Sequence, residues 1–176
     1  GTIGVWKDDA RAILDQVVEG PVILAGSSMG GWISLLLALE CPQRLAGLVG
    51  IAAAPDFTST LYNEHMNETQ RRELADTGFL KIPNGYSDEP YLITKALIDD
   101  GEKHCILDRR HDVRVPMRLV QGMKDADVPW QTAYRIKGAM PGGDVEVFLV
   151  ESGDHRLTQP EDLALIDAQI GALSGP

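Results

Sequence analysis

Apolar positions along the chain recur in two different rhythms. Val5, Trp6, Ala10, Ile13, Leu14, Val17 and Val18 fall at helical spacing, which predicts a helix over 5–18 stopped by Gly20-Pro21. "VILAG" (22–26) is continuously apolar, as a strand buried on both faces is. From Met29 to Leu39 the spacing is helical again and ends before Pro42. "LAGLVGIAA" (45–53) reads as a second buried strand, broken by Pro55. Pro116 introduces a third, "MRLVQG" (117–122). A helix then runs from Gln131 to Ala139 and is closed by Pro141-Gly142-Gly143. "VEVFLV" (145–150) is a fourth strand, and a last helix starts after Pro160 and runs through "EDLALIDAQIGAL".

Strands alternating with helices are the grammar of crossover connections, so the expected fold class is α/β with a parallel sheet and flanking helices. One stretch interrupts it. Residues 55–113 are polar and helical, with two predicted helices in "NETQRRELADTGF" and "EPYLITKALIDDGEKH" separated by "LKIPNGYSD". The expected division is a core of 1–54 and 114–176 and an insertion of 55–113.

Composition narrows the function. The chain has 176 residues, 44% of them hydrophobic, enough for a real core. A net charge of -10, with Arg71-Arg72 and Arg109-Arg110 as isolated doublets, argues against a nucleic-acid surface. Cys41 and Cys105 stand far apart with no metal-ligand spacing, so neither a disulfide framework nor a zinc site is implied. A reducing, cytoplasmic setting is expected. "LLLAL" (35–39) is too short to span a membrane, and the chain starts without a basic, then apolar, leader pattern.

The chemistry centres on "ILAGSSMGGW" (23–32). Gly26-Ser27-Ser28-Met29-Gly30 fits G-x-S-x-G between a predicted strand and a predicted helix, the context in which a tight turn lifts a serine hydroxyl clear of a sheet. The alternative is a glycine-softened joint with no chemistry. The helix N-terminus adds positive dipole, and the Met29 N–H is placed to face a developing oxyanion.

A serine needs a base and an orienting acid. His65, His104 and His111 lie in or beside the polar insertion. His155, in "VESGDHRLTQP", follows the fourth strand, where open α/β sheets gather functional loops. Asp125 and Asp127, in "VQGMKDADVPW", follow the third, and either could hold the imidazole. The order serine, aspartate, histidine is that of α/β-hydrolases.

The stretches "GSSMGGW" (26–32), "QGMKDADVPW" (121–130) and "SGDHR" (152–156) together resemble the α/β-hydrolase superfamily, and within it the ABHD10-like group of acyl-protein thioesterases and esterases. The resemblance implies an α/β-hydrolase fold with a small helical cap. It also implies a Ser28–Asp125–His155 triad, Asp125 being chosen over Asp127 by its spacing to Pro129. Gln121 departs from it, since many members have His there, but the position lies outside the implied triad. The implied reaction is hydrolysis of a small-molecule or acyl-protein ester or thioester through an acyl-enzyme, with no metal or organic cofactor.

The insertion at 55–113 would be the cap, and Phe57, Met66, Leu80 and Tyr91 are candidates for an acyl pocket or for a satellite core. Trp32 reads as packing. The family sheet has strands before the nucleophile strand, and this chain offers only a helix there. The expectation is therefore that N-terminal strands are missing, and that the Val22–Ala25 edge pairs with a second copy or with a missing N-terminal segment. Rival readings are a catalytically impaired fragment or interaction module, and a peptidase or C–C hydrolase of the same fold.

Overall fold

The computed structural model describes residues 1–85 and 88–175. In chain order the first elements are α1 (Ile3–Gln16), β1 (Val22–Ser27), α2 (Met29–Glu40) and β2 (Leu45–Ile51). There follow α3 (Phe57–Thr60), a π-helical turn over Leu61–His65, α4 (Glu68–Thr77), β3 (Phe79–Ile82), β4 (Tyr91–Thr94) and α5 (Lys95–Lys103). The chain closes with β5 (Met117–Gly122), α6 (Gln131–Ala139), β6 (Val145–Val150) and α7 (Pro160–Leu173).

The chain divides into two units. The larger comprises Lys7–Pro55 and residues 106–175 and holds a four-stranded sheet in the order β1-β2-β5-β6, all neighbours parallel. The apolar runs explain that sheet. Leu48, Val49, Met117, Leu119 and Val120 are buried, as parallel strands covered on both faces require. Between β1 and β2 runs α2, whose residues from Gly31 to Ala38 are all buried, Trp32 completely. A helix apolar all round belongs inside a core, and this one packs on β1 and β2. On the same strands packs α7, while α6 packs on β5 and β6. Ala52, Val120 and Leu157 form a buried cluster with Ile51, Phe148, Val150, Leu165 and Ile166 against it.

The smaller unit comprises Gly1–Trp6 and Asp56–Cys105. Its helix α4 is specified locally. Asn67 Oδ1 accepts from the Gln70 N–H at 2.9 Å, Gln70 Oε1 accepts from the Asn67 N–H at 2.9 Å, and Gly78 closes the helix at φ 81°. Ile3, Met66, Leu74, Leu80, Ile93, Leu97 and Ile98 are among its buried apolar residues. Asp100 Oδ2 accepts the Gly4 N–H at 2.7 Å and satisfies a donor in the first turn of α1.

Two expectations differ from this arrangement. The second predicted helix of the insertion begins only at Lys95. Its first part instead forms β4, antiparallel to β3, with Leu80 opposite Ile93. The β-branched pair Ile93-Thr94 favours the strand, and Thr94 Oγ1 caps α5 by accepting the Leu97 N–H at 3.1 Å. The linking stretch expected at 80–88 includes Tyr86 and Ser87, which lie outside the described residues. Residues 106–113, expected in the insertion, group with the larger unit: the His111 N–H donates to the Ala139 carbonyl at 2.7 Å, and Val113 and Val115 are buried.

Candidate active site

Three loops leave the C-terminal ends of parallel strands at the same edge of the sheet: after Ser27 of β1, after Gly122 of β5 and after Val150 of β6. They carry Ser28, Asp125 and His155. Ser28 sits between β1 and α2 at φ 51°, a left-handed conformation that an L-serine adopts at a cost. Backbone bonds pin it there. Its N–H donates to the Ile51 carbonyl at 2.9 Å, and its carbonyl accepts the N–H groups of Gly31 and Ala54, each at 3.0 Å. The turn is tight enough that a Cβ on Gly26 would meet the Gly30 carbonyl oxygen at 2.4 Å, so a side chain there is excluded.

The His155 loop folds equally close to the end of β5. The Lys124 N–H donates to the Gly153 carbonyl at 2.9 Å, and a Cβ on Gly122 would stand 2.3 Å from that same oxygen. Asp154 Oδ1 accepts the N–H groups of Arg156 and Leu157 at 2.9 and 3.1 Å and shapes the turn around the histidine. As a result His155 Nε2 lies 3.1 Å from Ser28 Oγ, and His155 Nδ1 lies 2.8 Å from Asp125 Oδ2. An ionised carboxylate only accepts, so Nδ1 carries the ring proton and Nε2 is left to accept from the serine hydroxyl.

Asp125 is held by both oxygens. Oδ1 accepts the N–H groups of Asp127 and Val128 at 2.9 and 2.8 Å. Oδ2 takes the His155 contact and a bond from Gln121 Nε2 at 2.8 Å. The Asp125 side chain has no exposed surface. Burial pushes its carboxyl up, but the bonds from His155, Val128 and Asp127 outweigh it and hold the group below the usual carboxylate range. The hydrogen bond to Asp125 raises the His155 imidazole above its ordinary value. Burial opposes the shift, and the charges of Asp125, Asp127 and Asp154 add to it.

The two candidate aspartates therefore occupy different places: Asp125 bonds the imidazole, and Asp127 donates its backbone N–H to Asp125. The other three histidines stand elsewhere. His111 bonds the Ile106 carbonyl in the larger unit, while His65 and His104 belong to the smaller. Met29 is the first residue of α2, where a backbone N–H has no acceptor within the helix. Ligand atoms of Asp125, Asp127 and His155 lie within 4.8 Å of one another, as a metal site would need, but those of Asp125 and His155 already serve the hydrogen bonds described.

Of the pocket candidates, Met66 and Leu80 are buried in the core of the smaller unit, Phe57 is half-buried and Tyr91 is exposed. A cavity of about 240 Å³ in that unit is lined instead by Tyr62, Arg71, Leu74, Lys95, Ile98 and Glu102, among others. The residue that sequence reasoning passed over is Gln121. The available signal was a carboxamide at the end of an otherwise apolar strand, four residues before the acid.

Comparison with known proteins covers the whole of this site. A model described as the alpha/beta hydrolase family matches residues 4–166. The chain is 40% identical over 173 residues to a Mus musculus protein named palmitoyl-protein thioesterase ABHD10, mitochondrial, covering 98% of this chain and 58% of that protein. It is 36% identical over 166 residues to the Homo sapiens protein of the same name, covering 94% and 54%. The crystal structure of a protein from Agrobacterium vitis S4 superposes with a TM-score of 0.94 at 40% identity, covering 98% of this chain and 69% of that one. The mouse alpha/beta hydrolase domain-containing protein 10 superposes with a TM-score of 0.87 at 35% identity, with the same coverage. The chain thus spans little more than half the length of the curated relatives it matches. Among the described residues no helix is long and apolar enough to cross a membrane.

Proposed function

Because this chain belongs to the alpha/beta hydrolase family, we propose that it is a serine hydrolase cleaving acyl thioesters or carboxylic esters through an acyl-enzyme on Ser28. One observation carries the reading: Ser28 Oγ, His155 and Asp125 form a continuous hydrogen-bonded line, at 3.1 and 2.8 Å, from three separate loops. In the proposed reaction Ser28 Oγ attacks the acyl carbonyl while its proton passes to His155 Nε2. The carbonyl electrons move onto oxygen, and the Met29 N–H stabilises the oxyanion at the positive end of α2. Asp125 holds the imidazolium that forms without taking its proton. Collapse of the intermediate breaks the bond to the leaving group, which receives the proton from His155 as a thiol or alcohol. Water then enters, gives a proton to the same nitrogen and attacks the acyl-serine. The second collapse releases the carboxylic acid and returns the proton to Ser28 Oγ.

The relatives' names support a thioester of a long acyl chain on a protein as the first substrate to test. The discriminating experiment uses the full-length protein with a fluorophosphonate probe and a panel of nitrophenyl esters and acyl thioesters. Labelling is expected at Ser28 alone, with Ser28→Ala losing the label and several orders of magnitude in turnover. Label retained in Ser28→Ala, or mapped to Ser27, overturns the assignment.

A further inference from the structure

Gln121 is a costly residue to keep where it stands. It ends the apolar run of β5 at 1% exposure, where a leucine would fill the space without a polar group to satisfy. Its Nε2 reaches two points on the acid turn, Asp125 Oδ2 at 2.8 Å and the Val128 carbonyl at 3.1 Å, with a longer contact of 3.5 Å to the Gly122 carbonyl. The rotation of the Asp125 carboxylate is already set by two backbone N–H groups on Oδ1. The Gln121 bond falls on the other oxygen, the one His155 uses.

We propose that Gln121 is a positioning residue that shares Asp125 Oδ2 with His155 and so sets how strongly the acid pulls on the base. The inference rests on the Ser28–His155–Asp125 reading of the site. Two N–H donors on one carboxylate oxygen divide its charge between them. Without the carboxamide donor, more of that charge faces the imidazole, and the imidazolium is favoured to higher pH. The groups facing His155 include Ser28 from the turn after β1, Asp125 and Asp127 from the turn after β5, and Asp154 from its own loop. Gln121 thus counteracts the three carboxylates and keeps more of the base neutral.

The test compares Gln121→Met, similar in size but without donors, with Gln121→His, which keeps a ring N–H in reach of Asp125. Full-length protein is assayed for kcat and KM against pH with a nitrophenyl ester, and the His155 imidazole is titrated by NMR. In Gln121→Met the acid limb of kcat/KM and the NMR midpoint are expected to move together to higher pH. The plateau kcat should hold or rise slightly, with KM unchanged, since a more basic imidazole, once neutral, accepts the serine proton at least as readily. Gln121→His should return the limb to its wild-type position. A limb that stays put or moves down in a folded Gln121→Met protein overturns the proposal.

If that variant does not fold, the wild-type protein still decides. The Gln121 carboxamide nitrogen signal should shift with the same midpoint as His155, and a signal that ignores the titration overturns the proposal. Ser28→Ala is run in parallel. Activity retained there defeats the reading of the site itself, whereas an inactive Ser28→Ala beside an unmoved Gln121→Met limb defeats only the role of Gln121.

Discussion

Ser28 occupies a backbone conformation that its own side chain disfavours, and the surrounding bonds hold it there. Strain of this kind costs roughly 1–3 kcal/mol, and glycine escapes most of it. Ser28→Gly is therefore expected to exceed Ser28→Ala in stability by about 1 kcal/mol in urea unfolding, with both equally inactive. A second prediction concerns pH. A base must be neutral to accept a proton, so kcat/KM should rise with pH through a limb set above the ordinary histidine value by Asp125, Asp127 and Asp154. The sign for stability is the reverse. The raised imidazole stabilises the fold below its unfolded value and loses that contribution as pH climbs through the folded one, while the depressed Asp125 carboxyl loses its own in acid. Asp125→Asn should cost about three to four orders of magnitude in kcat. Asp127→Asn should leave most of it and shift the limb slightly down, because only a neighbouring charge is lost. Steady-state profiles of the two variants separate these outcomes.

Elements place these residues, and close backbone approach is their means. A methyl group on Gly122 would press on the Gly153 carbonyl, and both partners are backbone with little room to give. Gly122→Ala is expected to fold, with a lowered melting temperature, and to lose activity on the order of a hundredfold or more as His155 is displaced by a fraction of an ångström. In the smaller unit Asn67→Ala should cost about 1 kcal/mol by removing the cap of α4, with the Ser28–His155–Asp125 hydrogen bonds untouched; thermal melts and the ester assay report the two effects separately. The four parallel strands and their helices were legible because long apolar runs bounded by Gly and Pro admit few readings. The β3–β4 hairpin was not, since each strand is four residues long and Tyr91–Thr94 runs straight into a helix, so one periodicity masks the other. Strand ends pointed to Ser28, to His155 and to either Asp125 or Asp127 as candidates, and the choice of Asp125 came from the family resemblance. Gln121 was visible as a carboxamide closing an apolar strand, but its bond to Asp125 was not, because that contact depends on how the turn after β5 folds back on the strand end.

At the scale of the molecule, β1 has a strand neighbour on one side only among the described residues, and Val22, Ile23 and Leu24 are incompletely buried. Ile13 of α1 and Val17 just after it, in the same unit, are exposed apolar residues as well. A bare apolar edge is a template for pairing, so the 176-residue chain expressed by itself is expected to self-associate rather than run as a monomer. Light scattering across a dilution series checks it, and a stable monomer rejects the expectation. The sheet also has an uneven history built into it. Met117 pairs with Leu48, and the Asp56–Cys105 part of the smaller unit lies between the two strands in the chain, whereas β1 and β2 are joined through the helix α2. Lengthening such a closure changes the equilibrium little, by about 0.6 kcal/mol for each doubling of the loop. Its weight falls on time. The pairing of β2 with β5 should be the late, rate-setting event of folding, and until it happens Ser28 waits on one half of a sheet while Asp125 and His155 wait on the other.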